Sequence, residues 1–355
     1  MNEGGGSRPG TTPTGTLVLR RAALSIRVRI RTLIVGACLV AAIVLLGVTA
    51  LCVGSLVLSP GEVLAALLGQ GDSRSQLVVM EWRLPRVLAA VVFGAALGAS
   101  GALFQSLTRN PLGSPDVLGF DAGAVTGALV ATLVLGAGQT GLTIGALVGG
   151  LATAVVVAAF GLSSGSGSIR LIVVGIGMSA MLIAINQLLI QRAELEEAMR
   201  ASSWTLGSLA SIGWERLVPA TCVIAVLLVL AVLAARPGRM LELHNDAAAA
   251  FGVSVRPVRL ALLAIGVALV AVPVAVAGPI AFVALTAPHL ARQLTRVGPL
   301  AVLPAALMGS LVLLGADVAV LVAPTTSSLP VSIATLVLGG SYFIWLLINE
   351  WRHAR

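Results

Sequence analysis

The chain has 355 residues, of which 58% are hydrophobic and only 10% charged, whereas an ordinary soluble domain carries about a quarter charged residues. That balance excludes a soluble globular protein and points to a polytopic membrane protein. All 22 basic residues are arginine. A P-loop needs a lysine after its glycines to reach nucleotide phosphates, so the chain cannot be its own P-loop ATPase. The formal net charge of +8 arises largely from arginines at the ends of apolar spans, which speaks for membrane topology rather than nucleic-acid binding.

Residues 1–31 are rich in Gly, Pro and Thr and then in arginine (Arg20, Arg21, Arg27, Arg29, Arg31). They are expected to be a disordered basic segment that holds the N-terminus in the cytoplasm. The apolar run that follows, Leu33 to Pro60, is too long for the core of a signal peptide. Hydropathy predicts ten crossings, near 33–57, 86–107, 118–137, 141–162, 170–191, 215–235, 258–277, 279–297, 299–323 and 329–350. The eighth is interrupted by Pro288, His289 and Arg292. Together they form one permease-like unit over 32–352, with a short cytoplasmic tail at 353–355. With the N-terminus inside, 16 arginines fall inside and 6 outside, as the positive-inside rule requires.

Around the second and third spans the chain reads EWRLPRVLAAVVFGAALGASGALFQSLTRNPLGSPDVLGFDAGAVTG, from Glu81 to Gly127. Gly94 and Gly98, then Gly119, Gly123 and Gly127, recur every four residues and clear one helix face for close approach. Between the two sets, Asn110 and Pro111 break the helix. Arg83 and Arg86 flank Pro85 at the outer end of the second span. They are suited either to interface anchoring or to bidentate docking onto carboxylates of a partner.

The fifth span carries Met178, Ser179, Met181, Asn186 and Gln187, a mixture that fits either a core or a wall tolerant of bulky cargo. The inside loop Arg236–Arg259 opens with Pro237-Gly238. It then predicts a short helix over Met240–Phe251 that stops at Gly252, a compact knob on the cytoplasmic face. Asp317 reads as the only acid within a span and His289 as a helix-end polar group; an internal hydrogen bond is expected for each. Cys38, Cys52 and Cys222 lie in apolar spans without metal-ligand spacing, and buried free thiols are expected.

The motifs RLPR and GAxLGxSGAxFQxLxRNPLGSPDxLGFxxGA, with GPIAFVALTAPHLARQ (Gly278–Gln293) and SLPVSIATLVLGGSYFIWLLINE (Ser328–Glu350), resemble the FecCD family of ABC importer permeases. The likeness covers roughly residues 30–352 and is greatest to the FepG-type, ferric-enterobactin branch. It implies an all-α, BtuC-like type II importer permease that moves iron–siderophore complexes, or vitamin B12 or haem, across the cell membrane.

The resemblance implies a second permease chain, preferably a different one. It also implies two subunits that bind ATP and Mg, and an extracytoplasmic siderophore-binding protein. This chain itself would hold no cofactor or metal and bind no nucleic acid. By the same resemblance Arg83 and Arg86 face the binding protein, the fifth span lines the path, and Asn245, Asp246, Ala247, Phe251, Gly252 and Val253, in the loop 236–257, meet the ATPase. The family pattern has an arginine near Leu321 and a glutamate where Ser328 stands, and both are missing here. A proton-coupled transporter would need paired intramembrane acids or cations. A membrane enzyme would need a constellation such as HExxH or a Ser/Lys dyad. Neither pattern is read in the sequence.

Overall fold

The computed structural model describes residues 16–21, 24–54, 56–161, 167–242, 254–298, 300–323 and 329–353. A short antiparallel hairpin, β1 (Thr16–Arg21) and β2 (Leu24–Arg29), precedes the bundle, with Thr16 opposite Arg29. Part of the segment expected to be disordered therefore pairs with itself. The helices follow as α1 (Ile30–Cys52), α2 (Pro60–Leu67), α3 (Ser73–Gln76), α4 (Leu84–Thr108), α5 (Phe120–Leu129), α6 (Gln139–Gly161), α7 (Gly167–Arg192) and α8 (Leu195–Thr205). Then come α9 (Trp214–Glu242), α10 (Val255–Ala277), α11 (Val283–Thr295), α12 (Val302–Val322) and α13 (Val331–His353). Wider π-helical turns at Leu77–Arg83 and Val130–Val134 lead into α4 and extend α5.

Among the described residues seven helices are long and apolar enough to cross a membrane, counting α4 with its lead-in; Phe120–Val134 and Val331–Trp345 are shorter apolar helices. The eighth predicted crossing is the 13-residue α11, about 20 Å long. The remainder of that crossing is non-helical, running from Gly278 to Phe282, and irregular backbone at such depth is tolerated only inside protein.

The bundle is built around α4. Pro85 starts the helix, where a missing N–H does no harm. Every residue from Ala96 to Thr108 is buried. Its glycine face explains the burial: side chains at Gly94 and Gly98 would run into the backbone of Ala305 and Gly309 on α12. Gly123 and Gly127 meet Gly145 and Gly149 of α6 in the same way. Both four-residue spacings are therefore helix–helix contacts, as expected of small residues where lipid supplies no hydrophobic drive.

Hydroxyls hold the contacts in register. Ser100 Oγ donates to Gly266 O at 2.7 Å, and Ser310 Oγ donates to Val91 O at 2.7 Å. Interhelical bonds of this kind in membranes average about 0.6 kcal/mol.

At one end of the bundle the arginines gather. Arg29 Nη1 donates to Arg296 O at 2.8 Å and Arg31 Nε to Leu294 O at 2.6 Å, so the start of α1 clasps the carbonyl end of α11. Arg109 Nη2 donates to Leu241 O at 2.7 Å. This bond helps α9 run on through Pro237 to Glu242, past the loop start expected at Arg236. The thiols are free, yet Cys38 and Cys222 lie on exposed helix faces rather than in the core.

Candidate functional site

α7 is, with α1, the least enclosed of the long apolar helices. Only 11% of its apolar window is buried, against 78% for the window that contains α4. Its open strip runs through Gly177, Ala180, Ala184 and Gln187, all exposed and spaced three or four apart on one helix face. Nothing lies within 4 Å of a side chain placed at Gly177.

Of the five residues expected to line a path, Met181 and Gln187 are exposed. Met178 packs against the core, and Ser179 backs onto Gly119. Asn186 is buried and points away: its Oδ1 accepts from Thr126 Oγ1 at 2.7 Å and its Nδ2 donates to Ala122 O at 3.2 Å. A path-lining role for Asn186 is thus replaced by pinning α7 to α5, because an amide in a low-dielectric interior is costly without partners.

Behind this helix sits the break between α4 and α5. Arg109 ends α4 in a left-handed conformation. Asn110 Oδ1 accepts from Leu112 N at 2.9 Å and Asn110 O from Gly113 N at 3.0 Å, a side-chain turn that stops the helix. Gly119 has φ +82° and lies against the Ser179 backbone, so both the conformation and the space require glycine.

Two acids meet in this region. Asp116 and Asp121 are within hydrogen-bond reach of each other, and Asp116 Oδ2 accepts from Phe282 N at 3.1 Å. Oδ1 of both carboxyls is enclosed without a protein partner. Phe282 holds a left-handed φ of 67° as the N-cap of α11, and Gly339 of α13 leaves room for its ring. Asp317 is therefore not the only acid within the spans. Asp121 falls inside the predicted third crossing, and its place one turn from Asp116 was the available signal.

Arg83 and Arg86 are turned inward. Arg83 Nη1 donates to Leu51 O at 2.6 Å, and its Nη2 donates to Leu56 O, capping the carbonyl end of α1. Arg86 Nε and Nη2 grip both oxygens of Asp317 at 2.8–3.1 Å. The Asp317 side chain is fully enclosed and that of Arg86 is 20% exposed. The expected docking forks are thus engaged inside the protein, because both α12 and the end of α1 present acceptors that would otherwise be stranded. Asp317 has the internal partner expected of it.

His289 lies midway along α11 rather than at a helix end, 3.1 Å from Gln293 Nε2 one turn on and edge-on to Tyr342. Among the described residues no group of three His, Cys, Asp or Glu side chains is arranged to hold a metal. Asn245, Asp246, Ala247, Phe251, Gly252 and Val253 lie outside the described residues. At the end opposite the arginine clasp, a cavity of about 390 Å³ opens between α5, α6 and α8, lined in part by Thr132, Gln139, Glu197, Arg200 and Trp204.

Seven long apolar helices among the described residues, with shorter ones beside them, packed around a glycine-lined buried helix make this a BtuC-like ABC importer permease in fold. It superposes with a TM-score of 0.78 and 28% identity on a solved structure described as an inward-facing metal-chelate type ABC transporter, covering 89% of this chain and 99% of that one. The FecCD transport family matches residues 27–349, and the chain belongs to that family. It is 45% identical over 322 residues to the ferric enterobactin transport system permease protein FepG of Escherichia coli (strain K12), covering 91% of this chain and 98% of that protein. It is 36% identical over 279 residues to the hemin transport system permease protein HmuU of Yersinia pestis, covering 76% and 82%.

Proposed function

We propose that this chain is the membrane permease subunit of an ABC importer that carries ferric-siderophore complexes of the enterobactin type into the cytoplasm. The observation that carries the reading is near end-to-end similarity, at 45% identity, to a ferric enterobactin permease protein. In this reading the open strip of α7 around Gly177 and Gln187 faces a second permease chain across the path, and a heterodimer is preferred. The chain performs no covalent chemistry. Two separate subunits bind ATP and Mg, and their closure moves the permease through the loop around Phe251. An extracytoplasmic siderophore-binding protein delivers cargo at the α2 and α8 end. The arginine-rich end faces the cytoplasm with both termini, which agrees with the arginine asymmetry of the sequence.

A second reading within the same family is transport of haem, favoured by the 36% identity to the hemin permease protein. Uptake of labelled ferric enterobactin, a ferric hydroxamate and hemin into cells lacking this chain separates the two. Loss of catecholate uptake alone supports the first, and loss of hemin uptake alone the second. Unchanged uptake of all three defeats both.

A further inference from the structure

The cavity of about 390 Å³ between α5, α6 and α8 has the size of a small-molecule site, about 300–1,000 Å³. None of the residues lining it belongs to α7, so it is separate from the strip through Gly177 and Gln187. α8 turns one whole face into it: Glu197, Arg200, Ala201 and Trp204 follow one another three or four residues apart and all line the space. The outward side of the same helix is apolar, with Leu195 79% and Met199 65% exposed. A helix in water is built the other way round, apolar side inward. Apolar residues outside and charge toward a cavity suit a helix lying at a lipid boundary.

The polar part of the cavity has two signs. Trp204 Nε1 is enclosed yet has no acceptor among the described residues, whereas a buried indole N–H ordinarily finds one. Gly138 and Gln139 bring the start of α6 to the cavity, and the free N–H groups of a helix start favour an anion. Arg200 holds exposed Glu196 one turn back and has further N–H donors in its fork. Glu197 supplies a carboxylate on the same face of α8. Donors for an anion with a carboxylate beside them fit a zwitterion of phosphate and ammonium.

The apolar part leads into the bilayer. Leu129, Leu133 and Leu142 also line the cavity, and Val134 and Leu135 next to it are exposed. From there α6 carries Ile144, Val148, Leu151 and Val155, all exposed and spaced four, three and four apart. On a helix that crosses a membrane, such a stripe faces acyl chains.

We propose that this cavity binds one phospholipid with a phosphate–ethanolamine headgroup. Trp204 Nε1, Arg200 and the start of α6 hold the phosphate, Glu197 takes the ammonium, and the acyl chains lie along the α6 stripe. The lipid fills the wedge between α8 and the α5–α6 pair, and it does so whatever cargo the chain carries.

The full chain, purified in detergent, is titrated with phosphatidylethanolamine, phosphatidylglycerol and water-soluble phosphoethanolamine, and bound molecules are counted by native mass spectrometry. One phosphatidylethanolamine per chain is expected, held about fivefold more tightly than phosphatidylglycerol, the worth of one charge contact at a membrane surface. Arg200→Gln lowers affinity for both lipids about fivefold, and Glu197→Gln abolishes the preference between them. Gly138→Leu, at a position where nothing lies within 4 Å of an added side chain, obstructs the cavity and weakens both lipids without changing the melt of lipid-free protein. Equal affinity of the parent for the two lipids, a preference that survives Glu197→Gln, or binding untouched by Arg200→Gln and Gly138→Leu overturns the proposal. Phosphoethanolamine bound as tightly as the lipid also overturns it, because the cavity is then a site for a soluble zwitterion.

Discussion

The pair Arg86 and Asp317 lends itself to a double-mutant cycle whose outcome the geometry fixes in advance. Three contacts of 2.8–3.1 Å join them, and the acid has no exposed surface while the arginine keeps a fifth of its side chain exposed. Removing one member of a buried pair strands the other, at about 3–5 kcal/mol. The two deletions are not equal. Arg86→Met leaves a carboxyl with no route to water and should reach that full range. Asp317→Leu leaves a guanidinium that can slide its head outward, so about 1–3 kcal/mol is expected. Arg86→Met with Asp317→Leu removes both charges, and such replacements are often close to neutral, so the double variant should lie within about 2 kcal/mol of the parent. The coupling energy is then at least about 2 kcal/mol. SDS titration of the purified protein, followed by circular dichroism, measures all four corners. Additive losses, or a milder effect from Arg86→Met than from Asp317→Leu, refute the argument. Docking of the binding protein to the same four proteins gives a second readout. If the double variant regains stability yet loses docking, Arg86 serves the partner as well as Asp317.

Three further substitutions test the packing and the wall. Gly98→Ala places a methyl against the Ala305 carbonyl and should destabilise by about 1–3 kcal/mol; Gly177→Ala, which meets nothing, should be silent in the same melt. Asn186→Leu removes the bonds to Thr126 and Ala122 and should lower stability by about 0.6–1.7 kcal/mol, whereas Gln187→Leu should change uptake rate and leave stability alone. Asp121→Asn keeps a group that can donate to Asp116 and should fold normally, while Asp121→Leu strands the Asp116 carboxyl beside Phe282 N and should cut folded yield from membranes several-fold.

The glycine spacing at Gly94, Gly98, Gly123 and Gly127 was legible because packing in lipid depends on backbone approach, and spacing along one helix reports which face is stripped. The break at Asn110-Pro111 was legible because proline and a short amide stop a helix locally. The partners of polar side chains were not legible in this way. Arg86 and Asp317 are 231 residues apart, and nothing in the RLPR motif tells whether its guanidinium turns toward water or toward a helix that arrives so much later. Asn186 shows the same limit: its type suits a path wall, but Thr126 and Ala122 sit where they can satisfy it. Asp121 was missed for a different reason. It opens a helix whose next charged residue is Arg170, and an acid so near a loop reads as a boundary until Asp116 and Phe282 are seen to enclose it.

These cases share a cause that bears on how the protein works. Inside a membrane a polar side chain without a partner is expensive, so Arg83, Arg86, Asn186 and Asp116 are drawn to the nearest acceptor or donor in the fold. Each such bond ties two parts of the bundle together: α1 to the turn before α4, α4 to α12, α5 to α7, and the α4–α5 break to α11. α7 is thereby fixed along one side at Asn186 and Ser179 and left free along the strip from Gly177 to Gln187. In the importer reading, a helix pinned from behind at Asn186 keeps its exposed face, where Gly177, Ala180 and Ala184 stand beside Ile176, Met181 and Ile183, available to line a path. That division accounts for polar residues of α7 appearing on both faces.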